Sequence, residues 1–143
     1  MYRNLIFSIT VILLLLSACT TTATPSGPVE VVGEQVVVDG GSYTDVSVAE
    51  MQTMLANKDF TLVNVHIPFE GDIPGTDLSI PYNEIPQNLD KIPDKNAKIF
   101  LYCRSGRMSD IAAEELVGLG YTNIWTLPGG MLDWEKAGLE IER

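Results

Sequence analysis

The densest chemistry in this chain lies in one stretch: Cys103, Arg104, Ser105, Gly106, Arg107, Met108 and Ser109. A cysteine thiolate is a strong nucleophile, and nearby cations and free backbone N–H groups favour it over the thiol. Two of the four arginines, Arg104 and Arg107, fall within four residues of Cys103. Gly106 removes the side chain that would obstruct a tight curl of the backbone. A loop of this composition can aim successive N–H groups at one point, and a helix that follows adds its own unpaired N–H groups. The stretch therefore predicts Cys103 as a catalytic nucleophile. Arg104, Ser105, Gly106, Arg107, Met108 and Ser109 would form the cradle that binds its substrate.

Such a cradle needs a strand before it and a helix after it. Lys98 to Tyr102 is a short apolar run of the buried-strand type, and Cys103 stands at its carboxyl end. Ser109 to Leu119 reads as a helix with Ile111, Ala112, Leu116 and Leu119 inward, ended by Gly118 and Gly120. Four more strands are predicted, at 35–39, 60–65, 78–80 and 123–127. Ser47 and Glu50 have capping-box spacing at the head of a helix that carries Met51 and Met54 on its apolar stripe. Those methionines read as core. Asn83 to Lys91 predicts a short helix with Pro86 near its first turn, and Met131 to Ala137 a final helix stopped by Gly138. Alternating strands and helices imply an α/β domain with a mainly parallel five-stranded sheet and helices on both faces. Ligands in such folds sit outside the carboxyl ends of the strands, where Cys103 stands.

Cys103-Arg104-Ser105-Gly106, following Ile99-Phe100-Leu101-Tyr102, resembles the active-site loop of the rhodanese-like sulfurtransferases. Four further motifs follow the family's order. Leu62 to His66 with Glu70 resembles its second-strand motif, usually Asp-Val-Arg with a later Glu. Gly71-Asp72-Ile73-Pro74-Gly75 resembles its Gly-His-Ile-Pro-Gly segment, Leu119-Gly120-Tyr121 its helix-to-strand turn, and Gly129-Gly130 with Trp134 its Gly-Gly and Trp signature. The resemblance implies a rhodanese-like domain over 29–143 that moves sulfane sulfur from a donor such as thiosulfate to a thiol or cyanide. A Cys103 persulfide would carry the sulfur, without metal or organic cofactor. The partners implied are a small sulfur donor or protein persulfide and a thiol acceptor. The alternative is a rhodanese-fold module that carries sulfur or docks to a protein without turnover. Asn64, His66, Asp72 and Met108 depart from the family pattern. His66, the single histidine, is expected to replace a structural arginine rather than act as a base. Cysteine phosphatases use Cys-x5-Arg, and Ser109 stands where that arginine would be.

With 143 residues, 45% of them hydrophobic, the chain is long enough to bury a core unaided. Its net charge of −10 excludes nucleic acid as a partner, since phosphate binding needs clustered cations. Residues 1–18 read as a lipoprotein signal peptide: Arg3, an apolar run from Leu5 to Leu16, then Ser17-Ala18. Leu16-Ser17-Ala18-Cys19 resembles a bacterial lipobox, which implies a lipid on Cys19 and anchoring to the cell envelope. In a two-membrane bacterium, Thr20 favours the periplasmic face of the outer membrane. Residues 19–28 are small, polar and Pro/Gly-bearing, and read as a flexible tether. Removal of 1–18 would leave 8 basic against 19 acidic residues, a charge of −11. It would also leave Cys103 as the sole free thiol.

Overall fold

A computed structural model describes residues 29–143; the signal-like segment, the lipobox and the tether lie outside them. Six strands form one sheet: β1 (Glu34–Val38), β2 (Gly41–Asp45), β3 (Thr61–Asn64), β4 (Leu78–Ser79), β5 (Ile99–Tyr102) and β6 (Ile124–Thr126). Their order across the sheet is β1-β2-β6-β5-β3-β4. Only the β1–β2 hairpin is antiparallel; every other pairing is parallel. The mainly parallel α/β architecture holds, but with six strands rather than five. The addition is β2, whose sequence Gly-Ser-Tyr-Thr-Asp lacks an apolar run. It is a strand because β1 and β6 hydrogen-bond it from both sides, not because of its own propensity.

Three α-helices cover the sheet: α1 (Val48–Ala56), α2 (Arg107–Gly118) and α3 (Gly130–Lys136), with a 3-10 helix at Tyr82–Asn88. Residues along β5 alternate between two cores, as strand geometry requires. Phe100 and Tyr102 pack with Met51 and Met54 of α1 and Met131 and Trp134 of α3. Ile99, Leu101 and Cys103 pack with Ala112, Ala113 and Leu116 of α2 and with Ile85 of the 3-10 helix. Helices therefore lie on both faces. All four residues of β5 are buried, which is why its sequence runs apolar without alternation.

Local chemistry explains where the helices start and stop. Ser47 caps α1: Glu50 N–H donates to Ser47 Oγ, and Ser47 N–H donates to the Glu50 carboxylate at 2.8 Å. Pro86 falls inside the segment expected to be a short helix, which forms as a 3-10 turn. Helix α2 starts at Arg107, two residues before the expected Ser109, because Gly106 with φ of +94° ends the loop abruptly. Its inner face is Ser109, Ala112, Ala113, Leu116 and Val117, while Ile111 is exposed. The expected inward place of Ile111 is thus corrected. The 3.6-residue period groups 109, 112, 113, 116 and 117 on one face and turns residue 111 to the opposite side.

Candidate active site

The loop after β5 and the first turn of α2 surround the Cys103 sulfur. Cys103 is only 1% exposed. Gly106 N–H donates to Sγ at 3.1 Å, and among the described residues it is the one backbone N–H that does so. Ser109 Oγ lies 3.7 Å from Sγ and donates to Gly106 O at 2.7 Å. That hydroxyl ties the start of α2 to the loop on the floor of the cradle. Ser105 and Arg107 are exposed, and Met108 is half-buried against the α2-side core. The seven residues expected from the sequence thus occupy one continuous turn. Their contributions differ: Gly106 and Ser109 approach the sulfur, Arg104 and Arg107 are exposed at the rim, and Met108 packs beneath.

A second segment fixes the loop and was not assigned this role from the sequence. Met131 N–H donates to Cys103 O at 2.9 Å, and Leu132 N–H to Arg104 O at 3.0 Å. The first turn of α3 thereby satisfies both carbonyls of the loop's entrance. Two glycines allow the approach. A Cβ on Gly130, where φ is +55°, would stand 2.2 Å from Cys103 O. A Cβ on Gly106 would stand 1.8 Å from Pro128 O. The Gly129-Gly130 pair was visible as a family signature; the close backbone packing that demands it was not.

The departures from the family's second-strand motif form one compensated network. Asn64 is fully buried and donates from Nδ2 to Gly71 O and to Asp72 Oδ1, each at 2.9 Å. Its Oδ1 accepts from His66 N–H at 2.9 Å. Tyr102 Oη donates to Asp72 Oδ1 at 3.1 Å, accepts from Ile73 N–H, and shares a hydrogen bond with Thr76. Burial, foremost, pushes the Tyr102 hydroxyl well above its ordinary pKa. Asp replaces His at position 72 and Asn replaces Asp at position 64. Here Asn64 donates and Asp72 accepts, so the two side chains satisfy each other.

His66 does not reach Cys103. Its Nε2 lies 3.0 Å from Glu70 Oε2, and the same oxygen accepts from Arg104 Nη1 at 2.8 Å. This agrees with a structural rather than a basic role for His66. Glu70 ties β3's end to the Cys103 loop, and the Arg104 hydrogen bond, above all, holds its carboxyl below the usual range. Among the described residues no cluster of His, Cys, Asp and Glu could hold a metal ion.

The match to a family model now decides the classification: residues 47–137 match the rhodanese-like domain. The chain belongs to the rhodanese-like family. It is 36% identical over 93 residues to a sulfurtransferase of Allochromatium vinosum, covering 63% of this chain and 85% of that one. It is 37% identical over 57 residues to thiosulfate sulfurtransferase PspE of Escherichia coli, covering 39% of this chain and 54% of that one. A rhodanese-like domain protein of Staphylococcus aureus superposes with a TM-score of 0.58 at 31% identity, over 69% of this chain and 98% of that one. A rhodanese-related protein of Thermoplasma volcanium also gives 0.58, at 29% identity, over 68% and 95%. The rhodanese-like domain thus takes in the whole Cys103 loop, the Asn64 network and both glycine contacts.

Proposed function

We propose that this chain is a sulfurtransferase that carries sulfane sulfur as a persulfide on Cys103. The observation that carries the proposal is the Gly106 N–H on a buried Sγ at the carboxyl end of β5. A donated hydrogen bond stabilises a thiolate, and it would equally stabilise a persulfide anion. With thiosulfate as donor, the Cys103 thiolate attacks the outer sulfur. The new S–S bond takes that sulfur, the old S–S bond breaks, and sulfite leaves with its electron pair. A thiol or cyanide then takes the outer sulfur and returns the thiolate, a ping-pong sequence. The named sulfurtransferase relatives support this reading.

Incubation with thiosulfate followed by mass spectrometry tests it. Wild type is expected to gain one sulfur atom on Cys103, and Cys103→Ser none. Absence of the gain with every small donor would refute turnover and leave the second reading, a sulfur-carrying or protein-docking module. The exposed apolar side chains of Phe69, next to Glu70, and of Leu132, whose N–H holds Arg104 O, favour that reading, because such side chains suit a protein surface. A protein persulfide and a protein thiol would then be its partners.

We further propose that the chain is exported and held to the cell envelope by lipid on Cys19. The signal-like run of 1–18 and the lipobox-like Leu16 to Cys19 support this. Cys19→Ser is expected to release the protein from membranes into the soluble fraction. Tight association of that variant would refute lipid anchoring.

A further inference from the structure

The proposed reaction brings an anion towards Cys103, yet the nearest arginine is already occupied. Arg104 Nη1 donates to Glu70 Oε2 at 2.8 Å, and His66 Nε2 lies 3.0 Å from the same oxygen. A carboxylate only accepts, so Nε2 carries the hydrogen. The imidazole is 8% exposed, and its Nδ1 has no hydrogen-bond partner. Among the described residues, Glu70 is therefore the one polar group that satisfies this buried ring. The ring in turn fixes the carboxylate, and the carboxylate fixes Arg104. Both partners of the ion pair remain close to half exposed, so the pair lies at the rim and not in the core.

The rest of the rim offers apolar side chains and the cation Arg107. Phe69, beside Glu70, is 60% exposed, and Leu132, whose N–H holds Arg104 O, is 42% exposed. Arg107 makes no ion pair among the described residues. Around this rim the chain as a whole carries a net charge of −10. Such a field repels anions out to a screening distance of about 8 Å at physiological salt, and farther at low salt.

We propose that Glu70 is a specificity-determining residue that cancels the Arg104 charge and selects against small dianionic sulfur donors. The inference rests on the sulfurtransferase reading and names the donor class. Donors with one negative charge or none are favoured, as in a persulfide R–S–S⁻. Its outer sulfur passes to the Cys103 thiolate, the donor S–S bond breaks, and the thiolate R–S⁻ leaves. His66 acts through Glu70 and is a positioning residue.

Two probes that transfer an outer sulfur by the same chemistry test this. Thiosulfate is a dianion that releases sulfite; methanethiosulfonate is a monoanion that releases methanesulfinate. Wild type is expected to load sulfur from the monoanion with the higher kcat/KM. Glu70→Gln keeps an acceptor for His66 and removes the charge. It is expected to raise kcat/KM for thiosulfate roughly two- to fivefold, mainly through KM, with a smaller gain for the monoanion. The gain should shrink as salt is added. An equal effect on both donors, or none, overturns the inference and leaves the sulfurtransferase reading intact. A measurement on wild type alone guards against a variant that does not fold. Added salt should leave thiosulfate kcat/KM unchanged or raise it, and a steep fall would overturn the inference. If neither donor loads wild type or Glu70→Gln, the sulfurtransferase reading fails and the inference falls with it.

Discussion

Alanine at Gly106 tests whether the cradle depends on one backbone conformation. Gly106 has φ of +94°, a region in which an L side chain costs about 1–2 kcal/mol. The added Cβ would also stand 1.8 Å from Pro128 O. Ordinary heavy-atom contact is roughly 3.5 Å, so the loop and Pro128 must part by well over about 1 Å. Overpacking of this kind costs about 1–3 kcal/mol. Together the two effects predict a loss of about 2–5 kcal/mol in urea denaturation. The same displacement moves the N–H that contacts Cys103 Sγ at 3.1 Å. A misplacement of about 1 Å can cost about 100-fold in rate, so single-turnover sulfur loading is expected to fall by that order. Gly118→Ala is the control. Gly118 ends α2 without a positive φ, and a Cβ there meets nothing within 4 Å. It is expected to load at the wild-type rate and to be unchanged or more stable by up to about 1 kcal/mol. Wild-type stability and loading in Gly106→Ala would refute the reasoning.

Three other changes probe the surrounding network. Asn64→Asp would set two carboxylates together in a fully buried place, since Asn64 Nδ2 now donates to Asp72 Oδ1. A loss of about 1–3 kcal/mol is expected by denaturation, largely recovered when Asp72→Asn is added. Glu50 has its carboxyl pushed down to about 2, by the backbone N–H of Gly33 first and then that of Ser47. Its contribution is present above the unfolded carboxylate pKa and lost as pH falls towards about 2. Glu50→Gln should cost about 1 kcal/mol at neutral pH and flatten acid unfolding over that window. Asp110 shows the opposite sign. Burial foremost, then the Asp45 and Glu114 charges, raises its carboxyl above the usual value. Its ionisation opposes folding as pH rises through that raised value. Asp110→Asn is expected to melt about 1–3 °C higher than wild type at pH 7, with the difference closing below about pH 4 in calorimetry.

The Cys103 loop was legible in the sequence because its chemistry is local. A strand of four apolar residues, a cysteine, two arginines and a glycine stand in unbroken order. The same holds for the Ser47–Glu50 box, whose two partners lie three residues apart. β2 was not legible, because its polar residues acquire strand structure only from neighbours, one of them β6, distant in sequence. Nor did apolar character place Ile111, since the helical period puts it opposite the buried stripe that holds Ala112 and Leu116.

By itself, the sequence determined the α/β class, the nucleophile candidate and the glycines that a tight loop requires. Tertiary structure decided the partnerships. The Asn64–Asp72 hydrogen bond spans eight residues, and the Arg104–Glu70 pair spans 34. α3 reaches back over more than 25 positions to hold Cys103 O. The physical reason is that composition states which charges and donors are present, whereas hydrogen bonds act over about 3 Å. Which arginine is free to meet an anion therefore depends on which carboxylate the fold brings within that distance.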